Sequence, residues 1–335
     1  MSAPGLPMGE FDLIRRYFSR PIPAYASGVA LGIGDDCAVL NPSPGMQLCV
    51  SSDMLVEGRH FLSTVNPARL GHKALAVNLS DLAACGARPL GFTLALALPQ
   101  VDEAWLEGFS RGLLALADAH ACPLVGGDTT RGPLNLCITV FGEVPQGRAL
   151  LRSGARIRDE LWVSGTLGDA RLALEVFRGS LSVPQTVLDA ARLRMERPTP
   201  RVALGQALRG VATSAIDISD GLLGDLGHVL RASGVGACID ISIASNLIAS
   251  KPIPTSGNPF LSPAKQLEFV LAGGDDYELA FTAPAERHTA VLAAAGLAST
   301  PVTCIGRMQA EPGIRLIDAA GQPVTVHCAS FDHFA

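Results

Sequence analysis

Apolar runs that end in glycine, serine or asparagine close to an aspartate occur six times in this chain, and they constrain its fold more than any other feature. One such end would indicate a turn, but six predict that several carboxylates converge on one place. Uncompensated carboxylates at one place repel one another, and at least one would be driven to bind a proton. Divalent cations such as Mg²⁺ take oxygen ligands and relieve that repulsion, so the pattern indicates an enzyme that handles metal and phosphate. The six runs end at 32–36, 51–53, 78–81, 126–128, 217–221 and 273–276.

The length of 335 residues favours two domains, which we place at 1–147 and 148–335. The chain is 48% hydrophobic, yet it has no uninterrupted apolar stretch of about 18 residues, so we predict no membrane span. The first residues lack a signal-peptide pattern, and eight scattered cysteines indicate buried free thiols. Both observations favour the cytoplasm. The net charge of −5 and the lack of a basic run argue against a nucleic-acid partner.

The periodicity of apolar residues predicts an α/β (α+β) organisation in both halves. In the first half, a buried strand over 47–52 should end at Asp53, and helices should begin at Pro67 and Asp102. In the second half, a strand over 214–218 should lead into a helix over 221–232. The prolines and serines of 243–264 indicate a loop-rich insert.

Glycines beside aspartates are the strongest candidates for phosphate and metal binding. Two glycines at 126–127 would form a turn whose backbone N–H groups can approach an anion, with Asp128 beside them to hold a metal. A similar arrangement recurs at 273–276. In the segment 217–221, Asp220 would cap the following helix and Asp217 would face the same side as Ser219. Each motif alone could be an ordinary turn or cap, and their recurrence favours the functional interpretation.

Single polar residues in apolar surroundings add to this set. Asp81 falls late in an apolar helix, where a lone buried carboxylate is costly unless it has a partner. A metal shared with Asp36 and Asp53 would remove that cost. Arg152 could bind phosphate oxygens through its guanidinium, and His60 follows closely after Asp53. A solvated arginine and a structural histidine are the alternatives for these two residues.

Familiar nucleotide-binding motifs are absent from the sequence. There is no P-loop, no protein-kinase signature and no complete dinucleotide fingerprint. With these motifs excluded and the acidic runs in place, the sequence resembles the thiamine-monophosphate kinase family from end to end. The motifs that carry the resemblance are 9–11, 32–37, 51–53, 73–86, 126–133, 152–155, 214–222, 273–279 and 332–334.

The resemblance implies the two-domain fold shared with aminoimidazole ribonucleotide synthetase, in which the N-terminal sheets of two subunits join across a homodimer interface. It implies the transfer of a phosphoryl group from ATP to thiamine monophosphate, with several Mg²⁺ ions. Because a phosphate oxygen of the acceptor is already ionised, we expect direct in-line transfer without a general base. Matched by motif, the magnesium residues would be Asp36, Ser51, Ser52, Asp53, Asp81, Asp128, Asp217 and Asp220. The ATP contacts would be Gly127, Asp128, Arg152 and Ser219, and the thiamine phosphate contacts His60, Asp275 and Phe331.

Two positions depart from the family pattern, which often has Glu at Asp275 and Thr at Ser52. The shorter Asp275 puts its reach to the substrate in question. Two other functions stay open at this point. Another ATP-using enzyme of the same superfamily, such as selenophosphate synthetase or aminoimidazole ribonucleotide synthetase, would share the fold. A non-catalytic metal-binding protein could use the same acidic turns, although the sequence has no EF-hand spacing.

Overall fold

The structure is a computed structural model that describes residues 9–23, 26, 28–249 and 261–326. The chain divides into two compact units. The first comprises Met1–Leu79 and Arg88–Gln146, and the second comprises Ser80–Ala87 and Gly147–Ala335. No helix among the described residues has both the length and the apolar character needed to cross a bilayer.

The described residues of the first unit form three α-helices and six strands. A short helix α1 (Glu10–Leu13) continues into a π-helical turn (Ile14–Phe18), and two longer helices follow. The two longer helices are α2 (Pro67–Ala84), whose last residues belong to the second unit, and α3 (Glu103–Ala119). The strands are β1 (Val29–Leu31), β2 (Val39–Leu40), β3 (Met46–Val56), β4 (Arg88–Leu98), β5 (Leu124–Arg131) and β6 (Asn135–Pro145).

Four of these strands form one sheet in the order β3-β6-β4-β5. β4 and β5 are parallel and are joined through α3, whereas the other pairs are antiparallel. Leucines 94, 96 and 98 alternate along β4 and are buried on one face of the sheet, as are the apolar residues of α2 and α3. The opposite face carries more exposed side chains, and β3 lies at an edge of the sheet.

In the second unit, the described residues form one six-stranded sheet and seven α-helices. Its sheet order is β12-β9-β11-β7-β10-β8, and only the β12–β9 pair is parallel. The strands are β7 (Glu160–Ser164), β8 (Ser214–Asp217), β9 (Gly236–Asp240), β10 (Leu279–Ala283), β11 (Val302–Gln309) and β12 (Gly313–Ile317). The helices are α4 (Asp169–Phe177), α5 (Gln185–Glu196), α6 (Val202–Ala207), α7 (Leu222–Ser233), α8 (Ile241–Ala244), α9 (Pro263–Ala272) and α10 (His288–Leu297).

The helix starts of the first unit confirm the sequence-based predictions. α2 begins at Pro67, and Asp102 caps α3 by accepting a hydrogen bond from the Trp105 N–H at 3.0 Å. A cap of this kind stabilises a helix by about 1 kcal/mol. The prediction of a short buried strand over 47–52 is wrong. β3 is eleven residues long, continues past Asp53, and leaves Val50 56% exposed because it is an edge strand with one open face.

Three elements of the second unit were not predicted: the helices α8 and α9 and the strand β12. Ser262 caps α9 by accepting from the Lys265 N–H, and Pro263 occupies its first turn, so a start signal was present in the sequence. Within the predicted loop-rich insert the structure has α8 and the first residues of α9, and residues 250–260 lie outside the described part. Seven described cysteines are free, as predicted, but only Cys122 is fully buried.

Candidate active site

The first unit contains a cleft of about 970 Å³ that brings two of the predicted motifs together. Its walls include Asp35 and Asp36 from the loop after β1, and Gly126, Gly127 and Asp128 from β5. The three carboxylates are exposed, and the Asp36 N–H donates to the Asp35 carboxylate at 2.8 Å. The structure thus places Asp36 and Asp128 in the same cleft, with backbone from a glycine pair beside them.

The prediction that Gly126 and Gly127 form a turn is wrong, because both lie inside β5. Gly127 pairs with Leu94 in the parallel neighbour β4 and has φ of +144°. A Cβ at Gly127 would fall 1.9 Å from the Leu94 carbonyl oxygen, so no larger residue fits without moving a strand. Glycine is required here by the close approach of β4, and it leaves the β5 backbone bare along the wall of the cleft.

β3 carries the predicted residues Ser51, Ser52 and Asp53, and strand alternation divides them between the two faces of the sheet. The Asp53 N–H donates to the Asn78 side chain of α2 at 3.1 Å, so that helix lies against the Asp53 end of the strand. Asp81 follows Asn78 by three residues on α2 and is half-buried. The Ser52 hydroxyl instead lies 3.0 Å from the Thr139 hydroxyl of β6, on the other face.

His60 lies in the turn after β3, and one hydrogen bond fixes its ring. The Val56 N–H donates to Nδ1 of His60 at 3.0 Å. Because Nδ1 accepts, the proton of the neutral ring is on Nε2. An imidazole N–H is a donor of the kind that binds phosphate oxygens.

In the second unit, Asp217 ends the strand β8, and Ser219 and Asp220 lie in the loop between β8 and α7. Asp217 is buried, whereas Ser219 and Asp220 are half-buried. The prediction that Asp220 caps α7 is wrong. α7 begins at Leu222 after Gly221, which has φ of +112°, and no side chain caps it.

A residue that the sequence did not single out, Asp225, holds this loop. Its Oδ2 accepts from the Ser219 N–H and from the Asp220 N–H, each at 3.0 Å. Asp225 is buried, and this burial raises the pKa of its carboxyl to about 7, although these backbone hydrogen bonds oppose the shift. A sequence signal did exist, since an acid in the first turn of a helix can reach amides that precede it.

The loop 273–278 lies against the loop that follows β8. The Asp275 N–H donates to the Ser219 carbonyl at 2.7 Å, so two predicted site residues are in direct contact. Asp275 has φ of +62° and Tyr277 φ of +53°, an unusual backbone conformation for residues other than glycine. Gly274 precedes them with φ of +71°, and a Cβ on it would come within 2.8 Å of the Ser219 carbonyl oxygen.

Two acids of this loop point inward and anchor it. Asp276 is buried and accepts from the Gly168 N–H at the start of α4, at 3.0 Å. Burial raises the pKa of Asp276 well above its usual range. Glu278 is fully buried and accepts from Arg194 at 2.9 Å, from Arg201 at 2.5 Å and from the Ser164 hydroxyl at 2.6 Å. Sequence reasoning missed this anchoring network.

Arg152 lies in the neighbourhood of the β8–α7 loop. Its carbonyl accepts from the Ser233 hydroxyl at the end of α7, at 3.2 Å, and its side chain is exposed. Arg152 and Asp220 both act on His228: burial and the neighbouring Arg231 and Arg152 lower the pKa of that histidine, and Asp220 raises it. Within the second unit, the structure therefore brings Asp275 into direct contact with Ser219 and places Arg152 and Asp220 each near His228.

The donor set fits a hard cation. Within the part of the chain that the structure describes, no side chain bonds to the carboxylates of Asp36 or Asp128. No group of three or more His, Cys, Asp or Glu residues is gathered for a metal among the described residues. Mg²⁺ commonly binds through one or two carboxylates plus phosphate and water, and paired exposed carboxylates suit that mode. Phe331, the third predicted substrate contact, lies outside the described residues.

Comparisons with known proteins match both units. Residues 34–144 match the family described as AIR synthase related protein, N-terminal domain, and residues 159–319 match its C-terminal domain. Proteins that contain both of these domains are two-domain α/β proteins. The fold class of this chain therefore agrees with the α/β class predicted from its sequence.

Relatives narrow the class. The thiamine-monophosphate kinase of Escherichia coli K12 is 48% identical over 98% of this chain and 98% of its own length. The crystal structure of the enzyme of that name from Stenotrophomonas maltophilia is 44% identical, with a TM-score of 0.79 over 89% of this chain and 93% of that one. A structure described as AaThiL complexed with AMPPCP and TMP is 29% identical, with a TM-score of 0.71 over 94% and 93% of the two chains. The chain belongs to the thiamine-monophosphate kinase family.

Proposed function

We propose that this protein transfers the γ-phosphoryl group of ATP to thiamine monophosphate and releases ADP and thiamine diphosphate. The observation that carries the proposal is the 48% identity to an enzyme of that name over nearly the full length of both chains. The geometry supports it, because acid–glycine motifs that sequence reasoning assigned to phosphate and metal share the cleft of the first unit.

We assign roles to the residues unit by unit. In the first unit (Met1–Leu79 and Arg88–Gln146), Asp36, Ser51, Ser52, Asp53 and Asp128 serve Mg²⁺, Gly127 and Asp128 serve ATP, and His60 serves the substrate phosphate. In the second unit (Ser80–Ala87 and Gly147–Ala335), Asp81, Asp217 and Asp220 serve Mg²⁺, Arg152 and Ser219 serve ATP, and Asp275 and Phe331 serve the substrate. The His60 ring supports its role, because the hydrogen bond to Nδ1 leaves the proton on Nε2.

Charge explains why an enzyme for two anionic substrates is acidic. Two unit charges about 4 Å apart interact by roughly 4 kcal/mol at an effective dielectric constant of 20, so donor and acceptor phosphates repel each other. Several Mg²⁺ ions, when bound, would supply the positive charge that cancels this repulsion. The chain itself carries a net charge of −5, so cations held by its carboxylates would add positive charge to that of Arg152 and supplement the N–H donor of His60.

The acceptor makes a general base unnecessary. The phosphate oxygen of thiamine monophosphate is already ionised near neutral pH. We therefore propose direct in-line transfer without a phosphoenzyme, in which the protein orients the two phosphates and excludes other acceptors. Backbone anchors of the second unit support this role, since the Ser219 carbonyl and the Asp275 N–H hold two site loops together at 2.7 Å.

We propose a homodimer formed through the sheet of the first unit. β3 is an edge strand, and on its open face Leu48, Val50 and Met54 are 48%, 56% and 56% exposed. An exposed apolar edge strand of this length invites pairing with another sheet. Val50→Glu should shift the protein from dimer to monomer in analytical ultracentrifugation. Val101→Glu is the control, because Val101 is 48% exposed in the loop between β4 and α3, outside the strands of the sheet, and its substitution should leave the dimer intact.

A coupled assay of ADP release tests the proposed activity. Purified protein is given ATP, Mg²⁺ and, in separate reactions, thiamine monophosphate, thiamine, selenide or formylglycinamidine ribonucleotide. Among the four acceptors, only thiamine monophosphate is expected to support ADP release, with thiamine diphosphate as the second product. Turnover with selenide or the ribonucleotide instead would assign the protein to another activity of its superfamily. Binding of Mg²⁺ without any turnover would favour a non-catalytic metal-binding protein. A labelled phosphoenzyme in rapid-quench experiments would contradict direct transfer.

That the protein operates in the cytoplasm stays a prediction from the sequence.

A further inference from the structure

The Ser219–Asp220 segment is held on two sides by the protein. On one side, Oδ2 of Asp225 accepts from the N–H groups of both residues at 3.0 Å. On the other side, the Ser219 carbonyl accepts from the Asp275 N–H at 2.7 Å. The segment carries one residue assigned to ATP and one assigned to Mg²⁺, so its backbone determines where both side chains lie.

Asp225 does not act as an ordinary helix cap. A capping side chain precedes the helix and bonds to amides of its first turn. Asp225 lies inside α7 and reaches back to amides that precede the helix, while α7 has no side-chain cap. Burying a carboxylate costs free energy unless hydrogen bonds compensate it. The compensating hydrogen bonds of buried Asp225 come from the loop before α7 and not from the first turn of the helix.

The anchor also decides how the loop can meet a nucleotide. Loops that bind phosphate through backbone need their N–H groups free to donate. In this loop the N–H groups of Ser219 and Asp220 are already donated to Asp225. Contact with ATP must then come from the Ser219 hydroxyl and from a cation on the Asp220 carboxylate.

We infer that Asp225 is a positioning residue, which fixes the Ser219–Asp220 backbone so that both side chains are aimed before ATP arrives. This inference rests on the proposed function, because it deepens the ATP-binding role of the loop. Preorganised contacts of this kind affect the substrate that they touch more than the other substrate.

The test compares Asp225→Ala, Asp225→Asn and a control in the full-length protein. Asp240→Ala is the matched control, because Asp240 also accepts a backbone N–H, from Ser242 at 2.9 Å, at a helix start of the same unit. With Asp225→Ala, kcat/KM for ATP should fall about 100-fold while KM for thiamine monophosphate stays within about twofold. An amide oxygen can accept both N–H groups, so Asp225→Asn should recover about tenfold of that loss. Asp240→Ala should leave both parameters unchanged.

Hydrogen exchange supplies a readout that needs neither ATP nor Mg²⁺. In ligand-free Asp225→Ala, the amides of residues 219 and 220 should exchange about tenfold faster, and in Asp240→Ala they should not. Should Asp225→Ala fail to fold, Asp225→Glu replaces it, since one added methylene moves the carboxylate off both amides and should give the same losses.

Three results would overturn the inference. They are a folded Asp225→Ala or Asp225→Glu with unchanged kinetics for ATP, equal losses for both substrates, and loop amides that exchange at the wild-type rate. A wild-type protein that does not phosphorylate thiamine monophosphate would overturn the proposed function instead. The exchange experiment would still report on the anchor in that case.

Discussion

The two acids that line the cleft of the first unit and three acids that anchor loops in the second meet opposite environments. Asp36 and Asp128 are exposed in a cleft, and within the described residues no side chain bonds to their carboxylates. Asp225, Asp276 and Glu278 are buried, and each accepts hydrogen bonds from the protein. The comparison teaches that the same Gly–Asp pattern serves two purposes. The exposed acids of the first unit await ligands, and the buried acids of the second hold the loops that carry other site residues.

The largest effect should come from an exposed acid. Asp128→Asn removes a proposed Mg²⁺ ligand, so kcat should fall about 1,000-fold, or roughly 4 kcal/mol in the barrier. The melting temperature should stay the same or rise, because Asp128 repels the other carboxylates of the cleft. Steady-state kinetics and thermal melts check both outcomes, with exposed Asp12→Asn of α1 as the control. A lower melting temperature together with a near-normal kcat in Asp128→Asn would show that Asp128 stabilises the fold and does not bind a ligand.

The opposite result is expected for a buried acid. Glu278→Gln removes the buried carboxylate that pairs with Arg194 and Arg201, which should lower the free energy of unfolding by roughly 3 kcal/mol. Urea unfolding measures this loss. Glu268→Gln, which removes an exposed ion pair with Lys265, should cost less than about 0.5 kcal/mol. Equal, small losses in both variants would show that the buried network does not anchor the loop.

The pH dependence of the free energy of unfolding should distinguish a buried acid whose pKa is raised, Asp225, from one whose pKa is lowered, Glu143. Burial raises the pKa of Asp225 from 3.8 to about 7, so the native state binds its proton more tightly than the unfolded state does. The stabilising contribution is therefore complete below about pH 4 and is lost as the pH rises to about 7. Relative to Asp225→Asn, the ligand-free wild type should lose up to about 1.4 kcal/mol per pH unit in this window. Parallel stability curves between pH 4 and 8 would contradict this.

Glu143 in the first unit should show the reverse sign. Burial of Glu143 is outweighed by hydrogen bonds from Ser43 and by Arg88, which hold the pKa of that carboxyl below its usual value. Its stabilising contribution is therefore present above about pH 4.5 and is lost as the pH falls below that value. Unfolding of Glu143→Gln should accordingly depend less on acid than unfolding of the wild type.

The smallest effect on stability is expected at Asp275, a half-exposed acid of the second unit. Asn tolerates φ of +62° as well as Asp does, so Asp275→Asn should change the free energy of unfolding by less than about 0.5 kcal/mol. Loss of the proposed substrate contact should lower kcat/KM for thiamine monophosphate about tenfold. Kinetics with each substrate varied in turn tests this. A change confined to KM for ATP would move Asp275 out of its proposed role.

Much of the fold could be predicted from local patterns. The helix starts at Pro67 and Asp102 carry signals within four residues, and the apolar alternation in β4 shows its buried face directly. The Gly–Asp motifs also identified the loops that the structure brings together, including the contact of Ser219 with Asp275.

The rest depends on tertiary contacts that a single sequence does not display. Gly127 indicated a turn, but it is required by the passage of β4 close beside β5. Asp275 and Asp276 are adjacent in sequence, yet one is half-exposed and the other is buried against α4. In the sequence, Asp225 looks like any acid in the first turn of a helix. Only the structure shows that the loop before the helix donates hydrogen bonds to its carboxylate. Whether an acid binds a ligand or anchors a loop is decided by these partners.

The central claim is that the exposed carboxylates bind nucleotide phosphates through cations. Calorimetric titration of the wild-type protein with AMPPCP, a non-hydrolysable analogue of ATP, tests it. The analogue should bind in the presence of millimolar Mg²⁺ and lose at least about 100-fold in affinity after exhaustive chelation, when the acids and the phosphates face each other unscreened. Equal affinity with and without Mg²⁺ would contradict the claim.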